Sequence, residues 1–202
     1  IYSWAFAAYM ITSTTATPIY GKLSDVFGRR RVYVTATAIF LAGSLLCGLA
    51  SSMEMLVAFR AVQGAGAGGL LSLAFIMVGD MFSVEQRARI QGLFSSVWGV
   101  SSIVGPLLGG FIVDQVAWQW VFFLNIVPGI IAASIVWLSW RDRPRAGERP
   151  RIDFAGAGML TVVTVTLLIG LQSIGQPIGL LLLGVAVAGA VALLRIERRA
   201  AN

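Results

Sequence analysis

Two charge-free apolar runs meet at one short charged turn. Ile1 to Gly21 carries no Asp, Glu, Lys or Arg, and neither does Val32 to Met53. Between them lies Gly21-Lys22-Leu23-Ser24-Asp25-Val26-Phe27-Gly28-Arg29-Arg30-Arg31. Each run exceeds the roughly 20 apolar residues that cross a ~30 Å hydrocarbon core. The stretch therefore reads as a tight loop between two membrane-spanning helices. Gly21 and Gly28 permit a reversal, and the charges sit where lipid gives way to water.

The same reading extends along the chain. Charge-free windows predict seven spans, at about 2–22, 31–51, 53–79, 87–112, 119–140, 153–172 and 177–195. The last two share one uncharged window from Phe154 to Leu194, too long for a single crossing. Gln172-Ser173-Ile174-Gly175-Gln176-Pro177 supplies the turn that divides it. Charged residues make up 12% of the chain and mean hydropathy is +0.84, against about 25% charged in soluble domains. The expected partner along most of the surface is thus the lipid bilayer. The net charge of +6 does not point to nucleic acid, because the basic residues lie in clusters between spans with no aromatic-interleaved basic face. The lone Cys47 and the lack of His leave no disulfide framework, no metal site and no cofactor ligand set.

Orientation follows from Lys and Arg. Alternate loops hold Lys22 and Arg29 to Arg31, then Arg87 and Arg89, then Arg141, Arg143, Arg145, Arg149 and Arg151, then Arg195, Arg198 and Arg199. The intervening loops, near Ser51, at Asp114 to Ala117 and at Gln172 to Gln176, hold none. Basic loops face the cytoplasm, so the first span begins outside and the chain ends inside. A helix that begins outside calls for an earlier span, and the sequence reads as part of a longer protein. It divides into 1–140, a basic linker at 141–152 and a hairpin at 153–202.

The one basic residue outside these loops is Arg60. It lies ~10 Å into the third span at 1.5 Å per residue. A charge at that depth costs on the order of 3 kcal/mol and marks a functional position; the alternative is that it snorkels outward. Gln63 and Gly64 share its helix face at i+3 and i+4, which suits a polar, close-packed interior. No acidic residue lies deep in any span, so an acidic partner for Arg60 is expected in another part of the protein.

Small residues mark two helices. Gly64 and Gly68 allow another helix to approach closely. In the fourth span, Ser101, Gly105 and Gly109 recur at i+4, as do Ser102, Pro106 and Gly110. Pro106 removes a backbone donor and tends to bend the helix. In the first span Tyr9, Ser13, Thr17 and Tyr20 form one polar stripe. It either lines a substrate cavity or bonds back onto its own helix.

Three of these motifs together resemble the major facilitator superfamily. Gly21 to Arg31 is similar to its cytoplasmic loop motif, Arg60 to Gly69 to its span-four motif, and Gly105-Pro106-Leu107-Leu108-Gly109-Gly110 to its antiporter motif. Trp118-Gln119-Trp120 resembles the opening of family span six, with Gln119 where the family has arginine, and Ser101 stands where it has glycine. The short basic linker followed by a motif-free hairpin fits the fourteen-span drug:proton antiporters, with this chain as family spans two to eight. The resemblance implies an all-α polytopic bundle lacking span one, plus a central two-helix hairpin. It implies a transporter of the cell (inner) membrane, not an enzyme, that exports small hydrophobic or cationic drugs against protons. Two bundles would rock about a midplane site, the second bundle being the missing partner. Arg60 and Gln63 would serve proton coupling or substrate. Asp25, with Gly21, Gly28, Arg29 and Arg30, would form a cytoplasmic gate in which Asp25 meets the span-five N-terminus. A facilitator symporter or metabolite exporter shares the loop motif without the antiporter motif. A non-transporting sensor or assembly protein is the remaining alternative.

Overall fold

A computed structural model describes residues 2–142 and 154–200, and every regular element in it is helical. In chain order these are α1 (Tyr2–Phe27), α2 (Arg29–Gly48), α3 (Met53–Met81), α4 (Val84–Gln115), the one-turn α5 (Trp120–Phe123), α6 (Ile126–Ser139), α7 (Phe154–Gln172) and α8 (Pro177–Ala200). Among the described residues, four stretches are by length and composition apolar enough to cross a membrane: Arg29–Gly48, Met53–Met81, Val84–Gln115 and Trp120–Ser139. Gly158–Gln172 and Pro177–Leu193 are shorter apolar helices. The hydroxyl groups of α1 lower its hydropathy despite its length and its lack of charge up to Gly21. Apart from Arg141 and Asp142, the linker at 141–152 lies outside the described residues.

The expected reversal over Gly21 to Arg31 is shorter than the sequence suggests. α1 runs on through Gly21 to Phe27, and the chain turns at Gly28 alone, with φ 92°. Leu23, Val26 and Phe27 are compatible with helix, and the Gly28 N–H still bonds the Ser24 carbonyl at 3.2 Å. Gly21 is an interior helical residue whose added Cβ would touch only Ile76, at 3.9 Å. The span expected at 119–140 is present as Trp120–Ser139, with Leu124 and Asn125, both helical in φ and ψ, forming a turn between α5 and α6. α4 is one continuous helix through Pro106.

α3 is the centre of the packing, with its most extensive interfaces against α1 and α2. Lipid is as apolar as a leucine side chain, so helices in it associate through close packing and polar contacts more than through burial of apolar area. The glycines of α3 provide that closeness on two sides. A Cβ at Gly64 would collide with Thr12 and the Tyr9 backbone, and one at Gly68 with the Ser13 carbonyl, both on α1. A Cβ at Gly66 would collide with the Phe40 backbone and one at Gly69 would lie 2.5 Å from Ala36 Cβ, both on α2. Gly43 of α2 returns the contact: a Cβ there would lie 2.5 Å from the Gln63 backbone. Tyr20, Val32, Ala36 and Leu73 form the buried cluster where the three helices meet.

The other elements attach to this core. α5 and α6 lie on α2, where Gly48 accommodates the Phe123 ring and Gly129 accommodates Leu41. α7 and α8 pair as a hairpin that turns at Gly175, φ 98°, and α7 rests on α1. α4 buries no residue. It joins α3 through its first turn and through the Phe75 and Phe94 rings, 5.4 Å apart.

Candidate functional site

Arg60 stands on the α3 face that the glycines bring against α1. Its Nη1 donates to Gln63 Oε1 at 2.7 Å and its Nε to the Ala5 carbonyl at 3.3 Å. The guanidinium lies 4.1 Å from the Tyr9 ring centroid and 5.9 Å from that of Phe122. A charge-assisted hydrogen bond contributes about 1.5–3 kcal/mol, and a desolvated cation–π contact up to about 2. These offset a cost of about 3 kcal/mol for holding a cation at that depth. Among the described residues no carboxylate lies within ion-pair distance of Arg60.

Gln63 extends the network inward. Only 2% exposed, it donates from Nε2 to Ser44 Oγ at 2.9 Å. Ser44, fully buried, donates in turn to the Phe122 carbonyl at 2.8 Å. Asn125 Nδ2 donates to Ser44 Oγ at 3.3 Å. Four packed segments, α1, α2, α3 and the α5–α6 turn, thus meet at one hydrogen-bonded chain ending on a guanidinium.

A second charged cluster surrounds the Gly28 turn. Arg29 Nη1 donates to Asp25 Oδ1 at 2.6 Å and to Ser24 Oγ at 2.7 Å, while its Nε donates to Asp80 Oδ2 at 2.8 Å. The arginine side chain is only 14% exposed, so the pairing is better shielded from water than an isolated surface ion pair. It ties the α1–α2 turn to the end of α3. The Arg30 guanidinium covers the Trp137 ring at 3.8 Å, and its backbone N–H donates to Asp142 Oδ1 at 3.3 Å. Trp140 Nε1 donates to the same oxygen at 3.0 Å. An open cleft of about 1000 Å³ lies at this end of the bundle, lined by residues that include Asp25, Arg29, Arg30, Asp80 and Trp137.

Sequence-expected residues therefore fall in three places. Arg60, Gln63 and Tyr9 come together, and Asp25, Gly28, Arg29 and Arg30 come together; Gly21 belongs to the helix leading into the second group. At the α4 end of this region, Arg87 reaches back to the Gly79 and Phe82 carbonyls. Ser13 and Thr17 donate to the Met10 and Ser13 carbonyls of their own helix, and Thr17 also to the Gly68 carbonyl of α3 at 3.3 Å. Gly105, Pro106, Gly109 and Gly110 stand apart on α4, where a Cβ on any of the three glycines would meet nothing within 4 Å. Sequence reasoning passed over Ser44, Asp80 and Asn125. Ser44 is a lone hydroxyl in a charge-free run, Asp80 closes an apolar helix, and Asn125 follows Trp118-Gln119-Trp120 by five residues. Each offered a signal only once its neighbours were known.

Comparison with known proteins agrees with this architecture. A family profile described as Major Facilitator Superfamily matches residues 1–194. The chain is 43% identical over 176 residues to "Multidrug transporter protein MdtP" of Bacillus subtilis, covering 86% of this chain and 32% of that protein. It is 39% identical over 175 residues to "Multidrug resistance protein 3" of the same organism, covering 87% and 34%. It is 37% identical to "Efflux pump dotC" of Dothistroma septosporum, covering 85% and 30%. The chain thus spans about a third of the length of these curated relatives. Among solved structures, an auto-inhibited POT family peptide transporter superposes with a TM-score of 0.63 at 20% identity, covering 94% of this chain and 42% of that one. At that identity the likeness is one of fold. Apolar helices packed through glycine, the charged turn at Gly28 and a profile match over nearly all of its length place the chain in the Major Facilitator Superfamily.

Proposed function

We propose that this chain forms part of a proton-coupled drug exporter of the cell membrane that works by alternating access. Residues 1–140 supply part of one bundle, 141–152 a cytoplasmic linker and 153–202 a central hairpin of a fourteen-span protein. The observation that carries the reading is Arg60. It is a guanidinium inside an apolar bundle, held by neutral groups, with no carboxylate within ion-pair distance among the described residues. Such a cation has charge available for an acid or substrate in the rest of the protein. Relatives that include a multidrug transporter and an efflux pump support drugs as cargo, and the cargo proposed here is small hydrophobic or cationic drugs. The Arg29–Asp25–Asp80 cluster would hold the cytoplasmic side shut, and the bare glycine face of α4 would receive a helix of the second bundle.

The test is drug export from vesicles under an imposed proton gradient, using the full-length protein. Arg60→Ala should abolish export at near-normal expression. Arg60→Lys should restore it only in part, because lysine lacks the planar fork that spans Gln63 and Ala5. Wild-type export by Arg60→Ala would refute the proposal.

A further inference from the structure

The hydrogen-bonded chain behind Arg60 has a direction. A serine hydroxyl carries one proton and two lone pairs. Ser44 donates its proton to the Phe122 carbonyl at 2.8 Å. Its oxygen then accepts from Gln63 Nε2 at 2.9 Å and from Asn125 Nδ2 at 3.3 Å, which fills both lone pairs. With its one proton on the Phe122 carbonyl, Ser44 accepts from Gln63. The Gln63 amide must therefore present its NH2 to Ser44 and its oxygen to Arg60, as the 2.7 Å contact with Nη1 shows. Reversing the amide would aim its NH2 at a guanidinium, donor against donor, and would turn its oxygen towards Ser44, whose single proton would then have to leave the Phe122 carbonyl. The Cys47 thiol lies on the same side as the oxygen, 3.9 Å from Oε1.

The turn between α5 and α6 carries the other partner of Ser44. Asn125 sits in that turn, and its Nδ2 shares its two protons among Ser44 Oγ at 3.3 Å and the Phe122 and Val121 carbonyls at 3.3 and 3.4 Å. One asparagine thus contacts both the acceptor that takes the Ser44 proton and the oxygen of Ser44 itself. We propose that Ser44 and Asn125 are positioning residues for Arg60. Together they hold the Gln63 amide in the one orientation that offers its oxygen to the guanidinium. The consequence for export rests on the function proposed above; the placement of Arg60 does not.

The experiment reads the guanidinium directly. Full-length protein labelled with 15N-arginine, in nanodiscs, would give side-chain spectra in which the Arg60 signals are assigned by their loss in Arg60→Lys. A guanidinium held by Gln63 and Ala5 rotates slowly, so the wild-type protein should show separate Nη signals for Arg60. Ser44→Ala should merge them into one averaged signal, Asn125→Leu should broaden them, and Ser44→Thr, which keeps the hydroxyl, should restore the separation. If Ser44→Ala does not fold, Asn125→Leu decides the matter, since Asn125 is only half-buried. Unchanged Arg60 signals in Asn125→Leu, or in a folded Ser44→Ala, would overturn the proposal. Merged signals with normal drug export would uphold the positioning and count instead against a role for Arg60 in export.

Discussion

Two glycines of one charged motif have opposite requirements. Gly28 has φ 92° and ψ 148°, a region that residues with a Cβ rarely enter, and an added Cβ would lie 2.5 Å from Asp142 Oδ2. Gly21 is helical with open space beside it. Gly28→Ala should therefore cost about 1–3 kcal/mol through backbone strain. Gly21→Ala should be neutral, or stabilising by up to about 1 kcal/mol, because alanine is the better helix former. Thermal unfolding in detergent separates the two; equal losses would mean that the reversal involves both residues. The sequence marked both glycines alike, since composition cannot say which of two candidates carries the turn. Arg60 was legible for the opposite reason. A charge in an apolar run needs compensation, and Gln63 at i+3 is dictated by helix geometry alone. Ser44 and Asn125 come from distant helices, so no local spacing reveals them.

At the scale of elements, α3 and α4 carry similar small-residue stripes in different surroundings. The α3 glycines are covered by α1 and α2, whereas the α4 glycines face open space. Periodicity showed both stripes but could not show which one was filled, because an i+4 repeat of small residues permits close approach without naming what approaches. The same substitution should thus have different consequences. Gly68→Leu should disrupt the bundle, since its side chain would enter the Ser13 carbonyl and Ala16 Cβ, which would lie 3.1 Å from the new Cβ. Overpacking of this kind typically costs about 1–3 kcal/mol or more. Gly109→Leu should leave the packing of α1, α2 and α3 intact, yet block export by the full-length protein if α4 receives the second bundle. Trypsin resistance in micelles reports the first effect and vesicle export the second. Normal resistance of Gly68→Leu would show that α1 and α3 do not approach as closely as described.

At the scale of the whole molecule, the placement of Lys and Arg carries an expectation of sidedness. Lys and Arg mark the ends of helices at which charge must stay in water, and that signal needs no knowledge of packing. The structure gathers part of this signal at one end of the bundle, where Arg29, Arg30, Asp25, Asp80 and Asp142 surround the Gly28 turn. The Gly175 turn between α7 and α8 lies in a stretch without charge, and the bilayer tolerates such a hairpin because its helices satisfy their own backbone groups. If α7 and α8 cross as a pair, the linker before them and the turn between them lie on opposite sides of the membrane. Single cysteines at Gly147 and Gly175, in a Cys47→Ala background of the full-length protein, should then label in opposite ways. An impermeant maleimide added outside intact cells should reach the Gly175 site, and should reach the Gly147 site only after the cells are opened. Labelling of both from outside would remove the central hairpin and, with it, the fourteen-span arrangement on which the proposed exporter is built.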